Sequence, residues 1–277
     1  MMNDIQKDSL EVLKYFHSVC VENDLKYSIA FGTLLGAVRH QGYIPWDDDV
    51  DVLMPYCDYL KFVEIETREK NSECNFFLQT SKTDKHYYNL YCKLRKSNGK
   101  KYVENSNSHI ELHRGAWIDI FPVVPTNRNE SDIEKDFFYI DNLIGDIDLM
   151  TIVKPSKGDS FGKKIVKYSI YLLNRVTYKF NPLLEKKLQK IEKRITEMHD
   201  KNAKEGVVYS TYLKGNYNEF SNFLIYMESF NNLELRKFEE MEVYCFSNYE
   251  DFLSKIYGDY MKIPDEKDRV THNINEE

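Results

Sequence analysis

The sequence predicts an α+β fold: a mixed β-sheet core with flanking helices, a helical insertion and a C-terminal elaboration. Changes of periodicity along the chain lead to this class. Residues 1–129 alternate short apolar strands with amphipathic helices, and residues 130–235 are mostly helical in pattern. Residues 236–277 combine a strand pattern, a helix near 248–258 and a tail. At 277 residues the chain can bury a substantial core. We therefore expect a core, a helical region, and a last segment that returns to the core.

The individual elements follow from the spacing of apolar residues. Ile5, Leu10, Leu13 and Phe16 share one side of residues 4–23, which predicts an amphipathic helix. Strands are predicted over 26–31, 49–52, 76–80, 88–95, 101–104, 116–121, 207–213 and 238–246. Further helices are predicted from Thr33, near 56–70, over 130–200 with breaks at Pro155 and Pro182, and near 248–258.

An acidic strand is the strongest functional signal. Asp49, Val50, Asp51 and Val52 alternate acidic and β-branched residues, so both carboxylates are expected on one face of a half-buried strand. Two adjacent carboxylates repel unless a cation lies between them, and oxygen ligands of this kind suit Mg²⁺. A solvated acidic loop is the simpler alternative. The sequence argues against an EF-hand, because Val52 and Asp58 stand where the required glycine and glutamate would be.

A glycine–threonine pair precedes the acids. Gly32 lets the backbone approach a ligand, and Thr33 is expected to cap a helix that begins there. The N–H groups of a helix N-terminus bind phosphate. The pair alone is weak evidence, but its position just before the acidic strand predicts a phosphate cradle beside a metal site.

A third carboxylate, Asp119, lies within the apolar run 116–122. It either accepts hydrogen bonds from the backbone near Pro122 or joins Asp49 and Asp51 in a three-carboxylate cluster. We expect the cluster.

These residues together resemble a known family. The order Gly32-Thr33, Asp49-Val-Asp51, Asp119 is similar to the nucleotidyltransferase-fold pattern. More specifically, residues 31–55 resemble the LicD family in the sequence FGTLLGAVRHQGYIPWDDDVDVLMP. Further support comes from YCKLR at 91–95, GAWIDIFP at 115–122 and YGDYMKIP at 257–264. Members of that family are phosphocholine transferases of bacterial surface polysaccharides, with fukutin-related ribitol-phosphate transferases as relatives.

The resemblance implies an enzyme and assigns roles. It implies that residues 1–129 form a nucleotidyltransferase-like catalytic core and that residues 130–235 form a region close to the acceptor or the membrane. Asp49, Asp51 and Asp119 are the expected catalytic residues and ligands of one or two Mg²⁺, with Mn²⁺ as a substitute. Nucleotide and phosphate binding is expected from Gly32, Thr33, Arg39, Lys93 and Arg95.

The expected reaction moves phosphocholine from CDP-choline to a hydroxyl of a lipid-linked glycan precursor, of teichoic acid or lipopolysaccharide type, with release of CMP. Choline itself comes from the resemblance alone. Aromatic faces attract a quaternary ammonium, and the candidates are Trp46, Trp117, Tyr43 and Tyr88. His272 is a candidate from the C-terminal tail. Two alternatives stay open: transfer of ribitol or glycerol phosphate from a CDP donor, and nucleotidyl transfer from an NTP to a small acceptor.

The middle of the chain carries an excess of positive charge. Residues 154–194 contain twelve lysines and arginines against three acids, with apolar and aromatic residues interleaved. This pattern fits either a helix lying on an anionic membrane or a helix with a solvated basic face packed on the core.

Bulk composition predicts a cytoplasmic enzyme, peripheral at the inner membrane leaflet. The net charge of −7 argues against a nucleic-acid partner. Five scattered cysteines without paired spacing indicate reduced thiols and no zinc site. The N-terminus is polar, with no secretory leader, and no apolar run approaches the length of a membrane span.

Overall fold

The computed structural model describes residues 2–68, 75–84, 87–104, 112–150, 160–177, 182–208, 224–269 and 274–276. The helices are α1 (Asp4–Glu22), α2 (Phe31–His40), α3 (Tyr56–Arg68), α4 (Glu130–Met150), α5 (Phe161–Thr177), α6 (Pro182–Met198) and α7 (Tyr249–Tyr257). The strands are β1 (Ser28–Ile29), β2 (Asp51–Pro55), β3 (Phe76–Gln79), β4 (Cys92–Lys96), β5 (Tyr102–Glu104), β6 (Trp117–Pro125), β7 (Glu205–Val208), β8 (Leu224–Tyr226), β9 (Leu233–Phe238), β10 (Met241–Phe246) and β11 (Ile274–Glu276). The predicted α+β class is confirmed.

The main sheet has β6 at its centre. Its strand order is β1-β2-β6-β4-β3, with β7 added to the far end of β6 and β8 beyond it. Only β2 and β6 run parallel among these pairs. All nine residues of β6 are buried, as expected for a strand covered on both faces. The β2–β6 pairing places the two acidic strand segments side by side.

The helices α1 and α3 pack on this sheet. Asn3 and Gln6 form a reciprocal capping box that starts α1. The predicted apolar face is confirmed, with Leu10, Leu13 and Phe16 at most 2% exposed. The ring of Phe16 meets Phe62 of α3 edge-on, 5.1 Å between centroids. Burial of such rings and aliphatic chains contributes about 1.5–3 kcal/mol each, so this layer anchors the sheet.

Helices α4 and α6 form a second core. Ile133, Ile140, Ile191 and Ile195 are buried there, together with Val124 of β6. Two basic residues also point inward: Arg128 and Arg194 pair with the fully buried Asp136 at 2.9 and 2.5 Å. Part of the positive charge in this region therefore neutralises acids of the fold. The division of the chain at residues 129 and 235 remains a prediction.

Strand β9 and helix α7 pack against α2. Strands β9 and β10 form an antiparallel hairpin, where the sequence predicted one strand over 238–246. The turn explains the difference, because Glu239 takes a left-handed φ of 54° and reverses the chain. Phe252 of α7 contacts Phe31 at 5.8 Å between ring centroids. This packing brings the segment after α7 to the start of α2.

Several predicted boundaries move. The strand predicted over 88–95 begins at Cys92, and the strand predicted from residue 207 spans Glu205–Val208 as far as the described residues reach. Pro182 begins α6, a position that tolerates proline because no helical N–H is needed there. Within the described ranges, no helix has an apolar stretch long enough to cross a bilayer.

Candidate active site

Three carboxylates converge where β2 and β6 run side by side. The parallel register pairs Asp51 directly with Asp119, and the Asp119 N–H donates to the Val50 carbonyl at 2.7 Å. Asp49 lies two residues before Asp51. One carboxylate oxygen from each of the three acids lies within 4.8 Å of the others. The oxygens are therefore close enough to bind one cation in common.

The cluster is electrostatically strained. The pKa of Asp51 lies well above its usual range, first because the carboxyl is buried and then because other carboxylates lie near it. A divalent cation would relieve both causes by supplying the missing positive charge. Asp51 and Asp119 lie on β2 and β6, whereas Asp49 lies just before β2, because the strand predicted over 49–52 begins only at Asp51. The donor set contains only oxygen and fits Mg²⁺ or Mn²⁺.

Lys93 lies beside the cluster and differs from its expected placement. The antiparallel register of β4 pairs Lys93 with Asp119, and the ammonium contacts the two carboxylate oxygens at 2.8 and 3.1 Å. Lys93 is 1% exposed. The sequence predicted a phosphate-binding cation. In the structure this lysine instead neutralises one of the three acids from inside the core.

Arg95 and Trp117 are also core residues. The Arg95 side chain donates to Gln79 Oε1 at 2.6 Å and to the Gly115 carbonyl at 2.8 Å. Its guanidinium and the Lys93 ammonium both lie over the Trp117 ring, at 4.7 and 4.5 Å from the centroid. Neither Arg95 nor Trp117 lines the pocket described below. Trp117 is therefore not placed to bind choline, since its ring is 2% exposed and already holds two protein cations.

The start of α2 differs from the predicted cap. The helix begins at Phe31, with Ala30 at the cap position and no side-chain cap. The prediction that Thr33 caps this helix is wrong. Thr33 is buried inside the first turn, and its hydroxyl accepts the Asp51 N–H at 2.8 Å. Thr33 thus ties the helix to the acidic strand.

Gly32 lies directly against an acid. A Cβ on Gly32 would stand 2.4 Å from Oδ2 of Asp47. The absence of a side chain therefore lets Asp47 approach the first turn of α2. Asp47, Asp49 and Asp51 all line the same pocket as Gly32.

The pocket has a volume of about 440 Å³ and two kinds of wall. One wall carries the acids 47, 49 and 51. The second wall is mixed in charge, with Arg39 from α2 and, from the C-terminal segment, Tyr257, Asp259, Tyr260, Lys262, Asp268 and Arg269. Arg39 donates to the carbonyls of Tyr260 and Lys262 at 3.0 and 3.2 Å, which holds this segment in place.

Sequence reasoning missed most of this second wall. Lys262 and Arg269 were not among the expected site residues, although the run at 257–264 contributed to the family resemblance. A signal was available there, because tyrosines and a lysine cluster in a short stretch near the C-terminus.

The remaining aromatic candidates are scattered. Trp46 lines the pocket. Tyr43 is 8% exposed and packs on Phe238, with ring centroids 4.9 Å apart, outside the pocket lining. Tyr88 packs against the second core. His272 lies outside the described residues.

Comparisons with known proteins agree with this geometry. The LicD/FKTN/FKRP nucleotidyltransferase-domain family matches residues 24–142, which include all three converging acids. The lipopolysaccharide cholinephosphotransferase LicD of Haemophilus influenzae is 25% identical over 96% of this chain and 94% of its own length.

Two uncharacterized proteins, of Rickettsia typhi and Rickettsia prowazekii, are 47% and 46% identical over 55 residues. These matches cover 20% of this chain and 18% and 21% of the relatives. Residues 24–142 therefore match the nucleotidyltransferase domain of the LicD/FKTN/FKRP family.

Proposed function

We propose that this protein transfers phosphocholine from CDP-choline to a hydroxyl of a cell-surface glycan precursor, of lipopolysaccharide or teichoic acid type, and releases CMP. The observation that carries the proposal is the convergence of Asp49, Asp51 and Asp119 beside a pocket whose second wall includes the basic side chains of Arg39 and Lys262. A relative similar over nearly the whole chain is a cholinephosphotransferase by name.

The three acids would hold one or two Mg²⁺. A bound divalent cation supplies positive charge that offsets the charge developing on the phosphates and on the leaving CMP. Asp119 is already oriented by its contacts with Lys93, so we assign it as a fixed ligand and not as a mobile base. Asp49 and Asp51 complete the ligand set.

The remaining groups would bind and orient the substrates. Lys262 and Arg39 line the pocket and carry the positive charge that a diphosphate needs. The acceptor hydroxyl forms a bond to the phosphorus that carries choline. The bond from that phosphorus to the oxygen of CMP breaks, and the hydroxyl proton leaves to solvent at the pocket mouth.

Product analysis tests the reaction. Purified protein is incubated with Mg²⁺, a surface-glycan acceptor extract and either CDP-choline or CTP. We expect CMP release and acceptor-bound phosphocholine from CDP-choline. Pyrophosphate release from CTP would instead establish nucleotidyl transfer and overturn the proposal.

A binding screen tests the choice of donor. CDP-choline, CDP-ribitol, CDP-glycerol and CTP are compared by thermal shift in Mg²⁺. A ligand at one hundred times its dissociation constant stabilises a protein by about 2.7 kcal/mol, which is readily detected. We expect the largest shift from CDP-choline; a larger shift with CDP-ribitol or CDP-glycerol would assign another alcohol phosphate.

Contact with an anionic membrane is the second part of the proposal, and α5 is its site. Phe161, Ile165, Tyr168 and Leu172 follow a spacing of four, three and four residues along one face of this helix. Their exposures are 80%, 52%, 52% and 56%. By contrast, four apolar residues of α6, Leu184, Ile191, Ile195 and Met198, are buried in the second core. Of the two basic helices, α5 is therefore the one with an apolar stripe open to a lipid surface.

The charge of α5 matches an anionic leaflet. Three lysines, at positions 163, 164 and 167, lie along the same helix, and each cation near such a surface contributes about 1 kcal/mol. A lipid-linked acceptor would be met at that surface. The proposed localisation is accordingly the cytoplasmic face of the inner membrane.

Vesicle flotation tests this contact. We expect binding to phosphatidylglycerol vesicles that weakens with added salt and is lost in Ile165→Glu. Leu60→Glu, at an apolar residue 47% exposed on α3, is the matched control and should still bind. Equal loss in both variants, or no binding at low salt, would contradict the assignment.

A further inference from the structure

The ring of Trp46 already holds a cation. The guanidinium carbon of Arg269 lies 4.2 Å from the Trp46 ring centroid, a separation typical of cation–π attraction. Both residues line the pocket that contains Asp49 and Asp51. The pocket therefore includes an aromatic face that is complementary to positive charge, next to the acidic wall.

Arg269 is held on this ring by weak contacts. Its ion pair with Glu266 has a separation of 3.8 Å, and the Glu266 side chain is 90% exposed. Solvent screens such a pair almost completely. Arg95 on Trp117 is the contrasting case, because it is 3% exposed and makes two short hydrogen bonds. Of these two stacked arginines, Arg269 is the one that a ligand can displace.

We infer that Arg269 and the positively charged head group of the donor compete for the face of Trp46, so that Arg269 is a specificity-determining residue. This inference rests on the proposed function. The quaternary ammonium of choline is two carbons from its phosphate ester oxygen, and phosphates are proposed to lie between the two walls. When Arg269 leaves the Trp46 ring, its cation–π contact is lost, and a cationic head group replaces it with a contact of the same kind. A neutral head group such as glycerol forms no such contact.

Donor binding to three proteins tests the competition by calorimetry in Mg²⁺. Arg269→Gln should bind CDP-choline about three- to tenfold more tightly than the original protein, because the competing cation is gone. Its affinity for CDP-glycerol should stay within about twofold. Arg236→Gln is the matched control, since Arg236 stacks on Tyr249 at 4.0 Å and does not line the pocket. It should change neither affinity.

A second readout does not depend on the nucleotide. The chain has two tryptophans, and Trp117 is 2% exposed, so a small cation added to solution should change the emission of Trp46 alone. Tetramethylammonium chloride should alter this emission at several-fold lower concentration in Arg269→Gln than in the original protein. Sodium chloride at equal concentration is the salt control, and Trp46→Leu should abolish the response.

The outcomes separate this inference from the proposed function. Equal weakening of both donors in Arg269→Gln would make Arg269 a phosphate ligand and overturn the inference, as would unchanged affinity for both. The original protein could bind neither donor while tetramethylammonium still binds more tightly in Arg269→Gln. That result would support the cation-binding site on Trp46 and contradict CDP-choline as the donor.

Discussion

The two walls of the pocket are built in different ways. The acidic wall is placed by the parallel pairing of β2 with β6, whose residues are almost all buried. The second wall combines Arg39 of α2 with side chains from the end of α7 and the segment after it, which Arg39 holds by hydrogen bonds to two backbone carbonyls. The acids beside the sheet are expected to keep a fixed geometry, whereas an exposed segment can adapt to its ligand. Substitutions in the acidic wall should therefore lower turnover, and substitutions in the second wall should weaken substrate binding.

The largest expected effect is on turnover in the acidic wall. Asp49→Asn and Asp51→Asn should each lower kcat by about 100-fold or more, because each removes charge from the proposed cation site. Circular dichroism should show an unchanged fold. Asp265→Asn, at an exposed acid outside the pocket lining, is the control and should retain activity. Full activity in both pocket variants would show that this wall is not catalytic.

The next effect is on stability, at the buried support of the same wall. Lys93→Met should lower the free energy of unfolding by about 3 kcal/mol, because it leaves the buried Asp119 carboxylate without its ammonium partner. Urea titration measures this. Adding Asp119→Asn to Lys93→Met should recover part of the loss, since the unpaired charge is then removed as well. A loss of equal size in the double variant would mean that packing, and not charge, sets the effect.

Substitution of a basic residue in the second wall should change substrate binding and leave stability unchanged. Lys262→Gln should raise the KM for CDP-choline about five- to tenfold, because one cation is lost from the pocket, while kcat stays within about twofold. The midpoint of thermal unfolding should not move, since Lys262 is exposed. Lys267→Gln, at an exposed lysine outside the pocket lining, is the matched control. A fall in kcat alone would place Lys262 with the catalytic groups.

The smallest expected effect is a pH dependence in EDTA. The folded state raises the pKa of Asp51, so proton binding to this group favours folding at low pH and that contribution is lost as the pH rises through the folded-state pKa. Asp51→Asn should therefore raise Tm by about 2 °C at pH 8, with a gain that shrinks toward pH 4. Differential scanning calorimetry across this range checks the sign. A gain that grows as the pH falls would refute the assigned cause.

A similar contrast separates α5 from α6. Both are basic helices with an apolar stripe, and the sequence left open whether this region packs on the core or lies on a membrane. The structure buries the stripe of α6 against α4, with Lys187 and Arg194 paired to acids of that helix. The stripe of α5 stays exposed. A buried and an exposed stripe look alike in sequence, and only the tertiary contacts of each helix distinguish them.

Local patterns were sufficient for the acidic wall. The alternation around Asp49 and Asp51, and the single acid in the apolar run at Asp119, are periodicity signals that require no knowledge of distant contacts. The α+β class and the first helix follow from the same kind of signal. Local patterns failed where a side chain had two available partners. Thr33 was expected to cap α2, and instead its hydroxyl accepts a hydrogen bond from the backbone N–H of Asp51.

By itself, the sequence predicted that Asp49, Asp51 and Asp119 lie together and that Asp51 and Asp119 are on strands, because strand and helix periods are properties of neighbouring residues. The tertiary structure alone decided which charges face one another. Lys93 was drawn into the core by the register of β4, and Arg269 was brought onto Trp46 by the return of the chain after α7. Strand register and chain return are set by packing between distant segments, which no local pattern encodes.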